Sequence, residues 1–192
     1  MKQIGLFFGS FNPIHIGHLA LANYMVEFET IEEVWFVVSP QNPFKQKNDL
    51  LDTKLRIKMV ELATTGQPAY RAEDIELSLP IPSYSIDSLK ALEEKYPDCQ
   101  FTLIMGADNI LRFHHWKCYE EIAAKYPVLV YPRPNFKPDN STIPPRCKIT
   151  KAPLIEVSSS EIRQWIKDGK AAPYLLPQKV YQFIKQHGLY QE

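Results

Sequence analysis

"QIGLFFGSFNPIHIGHLALANYMVEF", residues 3–28, changes its periodicity partway along. QIGLFF, residues 3–8, is a short apolar run of strand length, the pattern of a strand covered on both faces. From Gly17 to Phe28 the spacing turns helical, with Leu21, Met25 and Phe28 recurring at four and three. Between the two lies GSFNPIHIGH, residues 9–18, which holds small residues, a proline, and two histidines separated only by Ile16 and Gly17. A strand, a tight turn and a helix in direct succession form one unit of an α/β fold.

The alternation continues along the chain. EVWFVV, 33–38, reads as a second strand and ends in the loop SPQNPFKQK. Asp52 caps a helix in which Leu55, Met59, Leu62 and Ala63 share one face. A weaker extended stretch over 71–79 leads into a helix marked by Ile86, Leu89 and Leu92. FTLIM, 101–105, is again a continuous apolar strand, followed by GADN and a short helical stretch. Residues 120–125 read as helix and VLVY, 128–131, as strand. A loop rich in Pro, Asn and Asp follows over 132–146, too short for an interdomain linker. LIEV, 154–157, is expected to form the last strand. Two helices then close the chain, the first with capping-box spacing at Ser158 and Glu161. The second has Pro177 near its start and Gly188 just past its end. The expectation is a doubly wound, Rossmann-like α/β fold: a mostly parallel sheet with helices on both faces. It forms one domain over residues 1–192, with a C-terminal helical part from about residue 158.

Composition excludes several classes. The chain has 192 residues, 45% hydrophobic and 23% charged, ordinary values for a globular domain with a real core. Lys+Arg and Asp+Glu balance at 22 each, so no bulk polyanion such as a nucleic acid is indicated as a partner. MKQIGLFFG has no long apolar segment with a cleavage site, and nothing approaches a membrane span. Three scattered cysteines do not suggest a disulfide framework. The expectation is a cytoplasmic protein without membrane or nucleic-acid partners; whether it forms a homo-oligomer stays open.

In such sheets ligands bind in the crevice outside the carboxyl ends of the strands. The histidine motif, GADN and SSSEIR (158–163) each follow a strand, so all three fall on that edge. Gly9 and Ser10 permit a tight turn where backbone N–H groups approach a ligand, and Gly17 would let the ligand close on the helix start. The helix N-terminus carries orphan N–H donors and partial positive charge, which suits an anion. His15 and His18 would add donors aimed at phosphate oxygens. Ser159, Ser160 and Arg163 offer hydroxyls, helix-start amides and a guanidinium for a second phosphate cradle. His114, His115 and Cys118 lack a fourth ligand at zinc spacing, so no metal site is assigned to side chains.

GSFNPIHIGH resembles the (H/T)xGH signature of the nucleotidyltransferase superfamily, and SSSEIR is similar to its ISSTxIR-like element. GADNILRFHHW (106–116) with PSYSIDSL (82–89) resembles bacterial nicotinate mononucleotide adenylyltransferases, over roughly residues 4 to 188. The resemblance implies that His15, His18, Lys45 and Arg163 are catalytic. It implies ATP contacts from Gly9, Ser10, Phe11, Gly17, Gly106, Asp108, Ser159 and Ser160. Tyr84, Ser85, Trp116 and Arg133 would hold the nicotinate nucleotide, with the indole stacked on the electron-poor ring. Two departures from the usual GGTFDPxHxGH form stand out: Phe8 replaces a common glycine, and Asn12 an aspartate.

The implied reaction is adenylyl transfer from ATP, with Mg²⁺, to nicotinate mononucleotide in NAD biosynthesis. HIGH is also the signature of class I aminoacyl-tRNA synthetases, but their second lysine-rich loop and tRNA-binding body are not visible. Two other readings remain: another adenylyltransferase of the superfamily, of the phosphopantetheine type, and a non-catalytic nucleotide-binding sensor.

Overall fold

The computed structural model describes residues 1–40, 50–136 and 143–191. Six strands form one sheet in the order β3-β2-β1-β4-β5-β6. They are β1 (Lys2–Gly9), β2 (Glu33–Val38), β3 (Tyr70–Glu73), β4 (Cys99–Gly106), β5 (Val128–Tyr131) and β6 (Cys147–Ile149). Every strand pairing is parallel, with Phe7 opposite both Phe36 and Ile104. Seven α-helices accompany them among the described residues: α1 (Ile16–Phe28), α2 (Thr53–Thr64), α3 (Ser85–Lys95), α4 (Ala107–Ile110), α5 (Tyr119–Lys125), α6 (Ser159–Lys167) and α7 (Gln178–Gln186).

The two-residue period of the strands builds two cores. Phe7, Phe36 and Ile104 face one side, where they pack with Leu21 and Met25 of α1, Met59 of α2, Ile162 of α6 and Val180 of α7. Leu6, Trp35 and Leu103 face the other, against Ile86, Leu89 and Leu92 of α3 and Ile122 of α5. Continuous apolar strands such as EVWFVV are therefore consumed on both faces. The expected doubly wound architecture is present. Among the described residues no helix is long and apolar enough to cross a membrane.

Three local expectations change. LIEV, 154–157, is not a strand: β6 at Cys147–Ile149 takes the place beside β5. Leu154 is 57% exposed, and the segment leads into α6 without regular structure. In α2 the buried face is Arg56, Met59, Val60 and Thr64, with Leu55 only half-buried. Phe28 ends α1 in solvent, stacked on Tyr24.

The chain runs outward from β1 through β2 to β3, then returns to add β4 on β1's other side. The carboxyl ends of β1 and β4 thus form the switch point where a crevice opens.

Candidate active site

The turn after β1 is fixed by its own side chains. Phe11 adopts φ 44°, the left-handed region that costs a non-glycine residue roughly 1 kcal/mol. Its ring is buried against Phe7 and Phe36 at 5.8 and 5.4 Å between centroids. Gly9 makes this possible, because a Cβ there would stand 2.8 Å from the Phe11 ring. Asn12, 1% exposed, accepts hydrogen bonds at Oδ1 from the Tyr190 hydroxyl at 2.8 Å and from Leu51 N–H at 3.4 Å. The Asn12 amide oxygen thus reaches two distant segments.

His15 stands at the N-cap of α1, and its backbone N–H donates to His18 Nδ1 at 3.2 Å. The two imidazoles stack with centroids 3.7 Å apart, and the His18 ring also meets Phe11 edge-on at 5.1 Å. A Cβ at Gly17 would lie 3.0 Å from Cε1 and Nδ1 of His15, so the missing side chain makes room for that ring.

Arg56, which sequence reasoning missed, is fully buried and binds the loops behind the turn. Its guanidinium donates to the carbonyls of Ser10 (2.7 Å), Ser39 (2.8 Å), Pro40 (3.1 Å) and Leu51 (2.9 Å), and to Thr53 Oγ1 (3.0 Å). One rigid fork thus links the ends of β1 and β2 to the start of α2. A charged residue on an amphipathic helix gives no sequence signal of such burial.

From the other side α6 arrives with its capping box formed: Ser158 Oγ accepts from Glu161 N–H, and Glu161 Oε2 accepts from Ser158 N–H, both at 3.2 Å. Ser159 Oγ donates to the Pro13 carbonyl at 2.9 Å, and Arg163 Nη1 to the Asn12 carbonyl at 2.9 Å. The α6 terminus is thereby docked on the histidine turn, and the starts of α1 and α6 face one cleft of about 460 Å³. Gly9, Ser10, Phe11, His15 and His18 line it from one side, and Ser159, Ser160 and Arg163 from the other. Asp108 closes it from α4.

Arg133 also lines this cleft, apart from Tyr84, Ser85 and Trp116, with which the resemblance groups it for the nicotinate nucleotide. It leaves β5 beside Tyr131, to whose hydroxyl it donates at 3.2 Å. Its Nε lies 3.6 Å from Asp108 Oδ1, an ion pair without a hydrogen bond, and both atoms are buried without a hydrogen-bond partner among the described residues. Such atoms are costly unless something polar meets them. Burial first, and Arg133 second, lower the His15 pKa to about 4, with Glu161 opposing. His15 is thus a neutral donor at pH 7 in the free protein.

A smaller lobe of about 130 Å³ adjoins the cleft. Tyr84, Ser85 and Trp116 line it together, and Gly106 lies here rather than in the larger cleft. Trp116 is braced edge-on by Phe113 at 5.4 Å. Buried Glu76, also missed, accepts from Ser83 Oγ at 2.6 Å and Ser88 Oγ at 2.9 Å, and so holds the PSYSID segment in place. Lys117 sits 4.8 Å over the Tyr84 ring and pairs with Asp87 at 2.8 Å. Phe7, Phe8, Gly9, Asn109 and Tyr131 line both lobes and mark their junction. Lys45 lies outside the described residues.

Comparison with known proteins places this geometry among relatives. The cytidylyltransferase-like family model matches residues 6–165. A Bacteroides fragilis protein named probable nicotinate-nucleotide adenylyltransferase is 48% identical over 184 residues, 96% of this chain and 92% of its own. A Flavobacterium johnsoniae protein of the same name is 44% identical over 192 residues, 99% and 100% of the two chains. Among solved structures, Plasmodium falciparum nicotinic acid mononucleotide adenylyltransferase complexed with NaAD superposes with a TM-score of 0.82. It covers 99% of this chain and 98% of its own at 21% identity, which speaks for the fold.

Proposed function

Because the chain belongs to the cytidylyltransferase-like family, and resembles its nicotinate-nucleotide adenylyltransferases over almost its whole length, we propose that it transfers the adenylyl group of ATP to nicotinate mononucleotide. The products are nicotinate adenine dinucleotide and pyrophosphate, a step of NAD biosynthesis. The observation that carries this reading is the pair of adjoining lobes. One is lined by histidines, serines and arginines, the other by Tyr84 and Trp116, and they meet at Phe7, Phe8, Gly9, Asn109 and Tyr131.

The acceptor's 5′-phosphate is ionised near neutrality, so its oxygen needs no general base. That oxygen forms a bond to the α-phosphorus of ATP in line, while the bond from that phosphorus to the bridging oxygen of the β-phosphate breaks and pyrophosphate departs. The barrier is then orientation and the crowding of negative charge, which fixed donors relieve. His15, His18 and Arg163 stand where they would meet the triphosphate, together with the N–H groups at the start of α6. Arg133 adds a cation on the same side. The indole of Trp116 offers its face to the pyridine ring. Lys45, outside the described residues, is assigned to phosphate on the sequence resemblance alone.

Mg²⁺ enters as the cation that ATP carries. Among the described residues no three His, Cys, Asp or Glu side chains gather as a metal cage, and Asp108 is the carboxylate lining the cleft. That donor set fits a cation held mainly by substrate oxygens and water. When bound, it supplies charge neutralisation for the phosphates.

The experiment is an acceptor panel read by pyrophosphate release from ATP: nicotinate mononucleotide, its amide, and phosphopantetheine. Turnover is expected with nicotinate mononucleotide and none with phosphopantetheine. Release confined to phosphopantetheine, or ATP binding with no release for any acceptor, overturns the reading.

A further inference from the structure

We propose that Tyr190 is a positioning residue for the ATP half of the site, acting through the side chain of Asn12; the proposal rests on the adenylyl-transfer reading above. Tyr190 lines neither lobe. Its hydroxyl donates at 2.8 Å to Asn12 Oδ1, 178 positions earlier in the chain and inside the histidine turn. The same residue's carbonyl accepts from Arg163 at 2.9 Å, and Oδ1 also accepts from Leu51 N–H at 3.4 Å. Three segments therefore converge on Asn12: the start of α6, the approach to α2, and the chain beyond α7.

The path of that last segment is specific. Gly188 at φ 59° and Tyr190 at φ 65° turn the chain back after α7, and Leu189 N–H bonds to the Ile184 carbonyl at 3.0 Å. The phenol is thereby delivered under the turn. Burial raises its pKa far above the usual range, against the pull of Arg163 and Arg56. It therefore remains a donor throughout the working pH range. Asn12 follows Phe11, whose left-handed backbone needs support from its surroundings. Without the Tyr190 hydroxyl, Asn12 Oδ1 loses its 2.8 Å bond, and the carbonyl that seats Arg163 loses part of its support. The bonds from Tyr190, Arg163 and Leu51 to Asn12 gather on the side of the larger cleft, so nicotinate mononucleotide serves as an internal control.

The test compares Tyr190→Phe, which keeps the ring, with Leu189→Ala, which loosens the same segment without touching Asn12. KM for ATP, KM for nicotinate mononucleotide, Tm, and calorimetric affinity for ATP are measured for each. Tyr190→Phe is expected to weaken ATP by about five-fold or more, the effect of one buried hydrogen bond, with the acceptor KM unchanged. Leu189→Ala is expected to lower Tm and leave both KM values unchanged. A Tyr190→Phe protein within about two-fold of wild type for ATP, an equal rise in both KM values, or the same ATP defect in Leu189→Ala overturns the proposal. If the wild type releases no pyrophosphate with any acceptor, the adenylyl-transfer reading fails, while calorimetric ATP affinity still reads the Tyr190 effect.

Discussion

The His15 backbone N–H donates to His18 Nδ1 at 3.2 Å, while the two rings stack 3.7 Å apart and 28° from coplanar. One bond thereby sets the chemistry of the second ring. With Nδ1 accepting, the proton of the neutral imidazole sits on Nε2, which leaves that nitrogen as the donor. The aromatic edges of Phe7 and Phe11 hold the ring in this pose. A donor fixed before substrate arrives costs no reorganisation when charge develops at phosphorus.

Burial of His15 predicts a pH dependence of stability. Its folded pKa is about 4, set first by burial and then by Arg133, against about 6.5 in the unfolded chain. Above pH 6.5 both states hold it neutral, and it has no effect. As pH falls through 6.5 the unfolded chain takes up a proton that the folded chain refuses. Stability falls until about pH 4, by a total on the order of 3 kcal/mol. Urea unfolding of wild type and His15→Gln across pH 4–8 should give curves whose difference grows over that window. Parallel curves would mean that the ring titrates normally in the folded protein.

Gly17→Ala separates stability from activity. Alanine is the better helix former by about 1 kcal/mol, yet its Cβ would stand 3.0 Å from the His15 ring. The ring must give by a few tenths of an ångström, where a misplacement of about 1 Å costs up to about 100-fold in rate. Expected are a Tm close to wild type and kcat lower by about three- to ten-fold. An unchanged kcat would show that His15 need not occupy this place.

Trp116→Ala probes the smaller lobe. Removing the indole should raise KM for nicotinate mononucleotide by about ten-fold, the effect of a lost ring-face contact with a cationic ring. KM for ATP should stay constant, because Trp116 does not line the larger cleft. Steady-state kinetics with each substrate varied in turn measures both.

Much of this was legible in the sequence because it is local. QIGLFF, EVWFVV, FTLIM and VLVY announce strands through unbroken apolar runs, and the structure contains all four. The two motifs GSFNPIHIGH and SSSEIR follow from turn and cap chemistry within ten residues, and the cleft unites them. LIEV misled because composition does not reveal whether a neighbouring strand is available; β6 had already taken the edge. Arg133 lines the larger cleft rather than standing beside Tyr84 and Trp116, a placement for which a residue after a strand has no sequence mark. Arg56, Glu76 and Tyr190 escaped notice since each acts through partners fixed only by tertiary packing.

The central claim is that donors gathered at the switch point drive the transfer, and His18 tests it most directly. Its ring is half-buried, so His18→Ala should fold with a Tm near that of wild type. The decisive measurement is kcat for pyrophosphate release from ATP with nicotinate mononucleotide present. The account predicts a fall on the order of 10²–10³; a well-folded His18→Ala protein turning over at the wild-type rate would contradict it.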